Sequence, residues 1–347
     1  MTKVKKRWWL LAAIVLLVAF LVTPLPYYLE MPGSAEKISQ YVTVNHKKDR
    51  TKGSYMLVYV SVLQATPASF VASYVMPFTD LVSKEDMLGT SSAKDYDKIQ
   101  QYYMDDAINE AKYVALKKAH HKVSRRYIGM YVMSITKGST FKNILHVGDV
   151  VTSVNGRHYD SSQAFVKYLA SLKPKSQIKL TYLHDGQEKT AQGKTTKLAN
   201  TKRYGIGITL ADRTKVSSDT SVQADMEGIG GPSAGLMLTL ELYQQITGKN
   251  LRQGQKVAGT GTMNADGSVG DIGGIDKKVV SASKAGAKIF FAPNNPVSEL
   301  EKKYDPSAMS NYAEAKKTAK KIHTKMKIVP VRTFDDALKY LQTHQIK

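Results

Sequence analysis

Hydrophobic positions fall into distinct regimes along the chain. Residues 8–29 are uncharged and mostly apolar. Residues 54–63 (SYMLVYVSVL) are apolar and β-branched enough to predict a strand. Thr66-Pro67 marks a helix start, and the run behind it predicts a helix over 66–82. In the polar stretch 95–118, Ile99, Tyr103, Ala107, Ala111 and Val114 recur about every four residues, which predicts an amphipathic connecting helix. Residues 30–120 thus read as scaffold without chemistry. From Arg126 the pattern changes to short β runs with glycine turns. Strands are predicted at 127–132, at 147–154 before Asn155-Gly156, and at 178–183 before Asp185-Gly186, with a helix over 163–172. Beyond residue 199 come an apolar helix, 236–247, closed by Gly248, and a second helix introduced by Gly273-Gly274.

Charge changes the reading of the amino end. Lys3, Lys5, Lys6 and Arg7 precede the uncharged run from Trp8 to Leu29, and about 20 apolar residues suffice to cross a hydrocarbon core. Trp8-Trp9 and Tyr27-Tyr28 sit where aromatic belts would flank it. The expectation is a single-pass cell-membrane anchor with a cytoplasmic amino terminus and everything after it extracellular. A cleavable signal peptide is the competing reading. Its nearest small-x-small triplet, Gly33-Ser34-Ala35, lies far from the apolar run, with Pro24 and Pro26 between.

Composition narrows the classes. A chain of 347 residues holds two or three domains, and 42% apolar with 23% charged residues excludes global disorder. Without cysteine there is no disulfide, thiolate metal site or cysteine nucleophile. The formal charge of +21 suggests nucleic acid first. Yet Lys117-Lys118 and Lys320-Lys321 lack interleaved aromatics, so an exported chain facing anionic lipids is preferred and no nucleic-acid partner is expected. The eight histidines show no ligand spacing and His-Glu-x-x-His is absent, so no metal and no cofactor are expected.

Two motif groups carry the function. "VGDVVTSVNG" followed by "SSQAFVKYL" resembles a PDZ domain over about 75 residues. That resemblance implies that Tyr127, Ile128, Gly129 and Met130 form a loop whose N–H groups receive a peptide carboxylate, the peptide adding as a strand. The second group begins at Glu227-Gly228-Ile229-Gly230-Gly231-Pro232-Ser233-Ala234-Gly235. Pro232 suits a first helical turn, and Ser233 at a helix N-terminus has nearby N–H groups, its own and that of Gly231, to hold an oxyanion. An N-cap role is the plain alternative for this serine. Gly-x-Ser-x-Gly also fits a hydrolase elbow, but no apolar strand precedes it. Forty residues on, Lys278 lies beside Ile275, Val279 and Val280, where burial and a helix N-terminus lower an amine pKa toward that of a base. Lys277 reads as a solvated surface charge.

"GGPSAG" with "GTGTM…GSVGDIGGIDKKVVSASKAGAKIFFAP" resembles the proteolytic domain of Lon proteases, family S16, over nearly all of 200–345. The resemblance implies Ser233 as nucleophile, Lys278 as its base and Thr260 as the residue positioning the amine. The acids usual in that family near these positions are Gly230 and Thr262 here. No phosphate loop is present, since Gly193-Lys194-Thr195 lacks its upstream glycine at the right distance. Anchor, PDZ and Lon-type segments in this order resemble the membrane-anchored, ATP-independent Lon-like serine proteases of Gram-positive bacteria. The expected organisation is an α+β multidomain chain. A basic flank and transmembrane helix occupy 1–29, a connector with a strand and helices 30–120, a PDZ-like β-rich domain 121–198, and a Lon-type α/β proteolytic domain 199–347. The expected activity is Ser–Lys endopeptidase action on exported peptides or proteins, selected or gated by the PDZ domain. Because Lon-type domains often form rings, a homo-oligomer is implied. A surface PDZ adaptor with a degenerate protease domain is the alternative.

Overall fold

The computed structural model describes residues 3–198, 201, 203–226 and 228–344. Glu227, first residue of the glycine-rich motif, lies outside the described residues, as do the ends of the first and last expected domains. Helix α1 spans Lys3–Val22. No helix among the described residues is long and apolar enough to cross a membrane. The reason lies in where α1 starts and stops. Four cations occupy its first turns, and the chain leaves the helix after Val22, so its uncharged part runs only from Trp8, ~22 Å at 1.5 Å per residue. Tyr27 to Leu29, expected to finish an anchor, instead open strand β1, Tyr27–Lys37, where Leu29 is buried.

The segment expected to be a connector is part of the main fold. It supplies β1, β2 (Val42–Val44), β3 (Ser54–Gln64), α2 (Pro67–Ser73), β4 (Asp80–Ser83), α3 (Lys84–Leu88) and α4 (Ala93–Lys118). Thr66 caps α2 through a reciprocal bond with Ser69, as its sequence predicts. The helix stops far short of residue 82 because Pro77 disfavours helical geometry at the residue before it, and the chain turns at Phe78 with φ +58°.

The chain then builds a separate five-stranded sheet. Its elements are β5 (Val123–Ile135), β6 (Val150–Val154), α5 (Ser162–Ala170), β7 (Gln177–His184) and β8 (Gln187–Lys194). They are followed by β9 (Thr196–Lys197), β10 (Tyr204–Gly205) and β11 (Ile208–Ser218). Strand order is β11-β5-β6-β7-β8. Asp185 and Gly186 take positive φ in the β7–β8 hairpin, the turn that matches strand twist. Met130, Val132, Val151, Phe165, Ile178 and Leu180 form this unit's own core.

After β11 the chain returns to the first unit. Strand β12 (Val222–Ala224) pairs with β2, Val44 and Val222 lying 178 positions apart in the sequence. Then follow α6 (Gly235–Thr247), β13 (Lys256–Gly259), β14 (Thr262–Met263), β15 (Val269–Gly270) and α7 (Ile275–Lys284). The chain ends with β16 (Ile289–Pro293), α8 (Glu299–Tyr304), α9 (Asn311–Lys321), β17 (Lys327–Val331) and α10 (Phe334–Thr343). One six-stranded sheet, order β17-β16-β13-β3-β1-β4, combines both halves, parallel from β17 to β3 and antiparallel from β3 to β4. Strand β3 explains its own sequence. Tyr55 and Leu57 face a core shared with α4, α6 and α10, whereas Met56 and Val58 face one shared with α7 and α9. Burial on both faces makes the strand a continuous apolar run. The five-stranded unit is therefore an insertion into a single larger domain.

Helix α4 joins the two. Met104, Ile108, Ala111 and Ala115 enter the core with α6, while Tyr102 stacks on Tyr131 of β5, ring centroids 4.2 Å apart. Asn109 also donates to the Thr214 carbonyl of β11 at 3.3 Å.

Candidate active site

Ser233 sits in the turn two residues ahead of α6, so Pro232 precedes the helix rather than occupying its first turn. Two backbone features fix that turn. Gly231 has φ +88°, a conformation that disfavours any side chain, and its N–H donates to the Gln100 carbonyl of α4 at 2.9 Å. The Ser233 carbonyl accepts the Gly261 N–H at 3.0 Å and the Thr260 hydroxyl at 3.1 Å. Gly230 also lies against Gln100, and a Cβ there would meet the Gln100 Cβ at 2.7 Å. Helix α4 thus fills the space that an acidic side chain at residue 230 would need.

Gly231 cannot serve as the oxyanion donor expected of it, because its N–H is already committed to α4. The N–H groups of Ser233 and Ala234 have no partner among the described residues. They lie at the start of α6, where the helix dipole adds positive potential.

Thr260 is 1% exposed, at the end of β13. Its hydroxyl accepts from the Lys278 amine at 3.3 Å while donating to the Ser233 carbonyl. The three residues expected to act together are therefore linked in one chain of hydrogen bonds, from α7 through the end of β13 to the turn before α6. Lys278 is 4% exposed near the start of α7. Burial lowers its pKa to about 8, with Glu30 on β1 pulling weakly the other way.

Lys277, one position earlier, shows what an ordinary fate would be. It is not a solvated charge, as its sequence suggested, but is buried and paired with Asp80 and, at 3.4 Å, Asp276. Burial opposes its charge, yet the bonds to these carboxylates raise its pKa overall. The pKa values of adjacent lysines on one helix are thus moved in opposite directions, and the difference is the acid partners of Lys277.

The loop expected at Tyr127–Met130 is not a loop. These residues lie inside β5, with Tyr127, Gly129 and Met130 paired to Thr214, Arg213 and Asp212 of β11, and Met130 also to Val151 of β6. Strand β11 occupies the edge at which an added peptide strand was expected. An apolar groove of about 490 Å³ remains beside it, lined by Phe165, Val166 and Leu169 of α5 and by Ile206, Ile208 and Leu210.

Gln100 and Glu30 escaped the sequence reading. No local pattern marks either, since each acts on a group more than a hundred residues away.

Comparison with known proteins matches parts of both units. Residues 95–195 match the PDZ domain family, and residues 222–344 match the Lon protease (S16) C-terminal proteolytic domain. The Lon protease of Desulforamulus reducens is 37% identical over 71 residues, 20% of this chain and 8% of that protein. Lon protease 1 of Herpetosiphon aurantiacus is 32% identical over 103 residues, 30% of this chain and 12% of that protein. The chain therefore matches only about a tenth of the length of these curated relatives. Among solved structures, the PDZ domain of the SdrC-like protein from Listeria monocytogenes is 37% identical, covering 24% of this chain and 88% of its own, with a TM-score of 0.24.

Proposed function

With a PDZ domain at 95–195 and the proteolytic domain of S16 serine peptidases at 222–344 as the premise, we propose that this chain is an ATP-independent endopeptidase using a Ser233–Lys278 dyad. The observation that carries the reading is the buried amine of Lys278, without a carboxylate contact among the described residues, bonded to a threonine that holds the nucleophile's own carbonyl. With a pKa of about 8, roughly one amine in ten is neutral at pH 7, enough for a general base.

The Ser233 hydroxyl attacks the scissile carbonyl carbon as its proton passes to Lys278. The carbonyl electron pair moves onto oxygen, which the N–H groups of Ser233 and Ala234 stabilise. Collapse breaks the C–N bond, the leaving amine takes the proton from Lys278, and an acyl-serine remains. Water, deprotonated by Lys278, then releases the acid product. Thr260 keeps the amine aimed at the turn that bears Ser233.

The same reading attaches the enzyme to the cell membrane through α1, its cations on the cytoplasmic side and the catalytic unit outside. Support comes from exposed apolar side chains on α1, among them Trp8, Trp9 and Leu16, and from exposed Val71, Tyr74 and Val75 near α2, which contacts α1. The shortfall against a ~30 Å hydrocarbon core is met by local thinning of the bilayer. Substrates are exported peptides or proteins, and the groove beside α5 is where the PDZ unit selects or gates them. Assembly into a homo-oligomer completes the proposal.

One experiment tests the core of it. The full chain is incubated in detergent with an unstructured protein, beside Ser233→Ala and Lys278→Met. Cleavage by the parent chain and a loss of about a thousandfold or more in both variants is the expected result. Equal cleavage by the parent and Ser233→Ala, or none by a folded parent chain, overturns the proposal and leaves a peptide-binding adaptor.

A further inference from the structure

His146, Asp149 and His184 are separated in sequence but adjacent on the five-stranded sheet. The turn before β6 carries His146 and Asp149, and His184 ends β7. Asp149 is 2% exposed. Its Oδ2 accepts the backbone N–H of His146 at 2.8 Å, and its Oδ1 lies 2.7 Å from His184 Nδ1. The His146 and His184 rings are 5.2 Å apart between centroids, and one donor atom from each of the three residues lies within 4.8 Å of the others. Asp185 adds negative charge, its carboxylate 3.7 Å from His184 Nε2.

We propose that His146, Asp149 and His184 bind one borderline divalent transition-metal ion of the zinc class. Two imidazoles and a carboxylate suit such an ion, whereas calcium and magnesium prefer sets made of oxygen. Zinc bonds of about 2.0–2.2 Å place neighbouring donors roughly 3.4 Å apart. The 2.7 Å contact between His184 and Asp149 must therefore open by about 0.7 Å. His146 is exposed and can rotate inward to supply the third bond. Asp149 is already oriented by the bond from the His146 amide, so the least mobile ligand is fixed before the ion arrives. Water fills the remaining position. The turn is also tied to α4, where Lys98 donates to the Val147 carbonyl at 3.2 Å. The ion would sit at the end of the PDZ sheet where the turn before β6 meets the end of β7, independent of whether Ser233 is a nucleophile.

The test uses the full chain without a polyhistidine tag, in detergent, stripped with a chelator and then titrated with zinc chloride by calorimetry. The expected result is one zinc ion per chain with at least micromolar affinity, and a zinc-dependent rise in melting temperature. His146→Ala should weaken binding by about tenfold or more, and His146→Ala/His184→Ala should abolish stoichiometric uptake. His146 is exposed, so the single variant should melt like the parent without metal. No stoichiometric uptake by the parent chain, or uptake unchanged in the double variant, overturns the proposal.

Discussion

At the scale of single residues, the site depends on what Lys278 lacks. Lys277 has Asp80 and Asp276 beside it, while burial acts on Lys278 with only weak opposition from Glu30. This carries a cost in stability. Between the folded value of about 8 and the ordinary 10.5 the unfolded chain binds the proton more tightly, so stability falls as pH drops through that window. Below pH 8 the full penalty stands, about 3 kcal/mol from the size of the shift. Lys278→Met should therefore melt higher than the parent at pH 7 and abolish proteolysis, with the difference in melting temperature shrinking toward pH 10. A variant that melts lower at pH 7 would show that the amine is not held at a loss. For the same reason the parent's kcat should rise from pH 6 to pH 9 with a midpoint near 8, measured under conditions where chemistry limits turnover.

At the scale of elements, α4 does more than connect. Its Gln100 accepts the Gly231 N–H and packs against Gly230, so the turn before Ser233 is shaped by a helix remote in sequence. Gly230→Ala places a Cβ 2.7 Å from that of Gln100, and one of them must move. Proteolysis should fall by about tenfold or more, because displacing the turn moves Ser233 away from Thr260. Peptide kinetics check this, with Gln100→Gly in the same chain expected to restore part of the rate. The Ser233–Thr260–Lys278 motifs were legible because each lies in a short, glycine-marked segment. The role of α4 was not, since its apolar positions reveal only that it packs, and it packs on two sides.

At the scale of the molecule, the PDZ unit interrupts a larger domain, and its strand β5 is already paired along both edges at Met130. The amides of Gly129 and Met130 should therefore exchange with deuterium as slowly as interior strand amides in the free protein, read by exchange mass spectrometry. Fast exchange there would mean that β11 leaves the edge readily and that the position is available to a peptide. The insertion was hidden in the sequence because a strand in a connector and a strand of a larger sheet read alike. Only the partners distinguish them: β3 reads as a strand from its residues, but nothing local says that it will lie beside β13, whose sequence comes two hundred positions later.

The residues themselves determined the local events: the cap at Thr66, the hairpin turn at Asp185-Gly186, the glycine turn before Ser233 and the helix bearing Lys278. Each depends on a few neighbouring dihedrals and one or two nearby hydrogen bonds. The tertiary structure decided the rest: which lysine has acid partners and which is buried with a lowered pKa, which amides before α6 have no partner among the described residues, where α1 ends, and that two histidines meet a buried carboxylate. These depend on burial and on distances between segments far apart in the chain, which the order of residues constrains only through the completed fold.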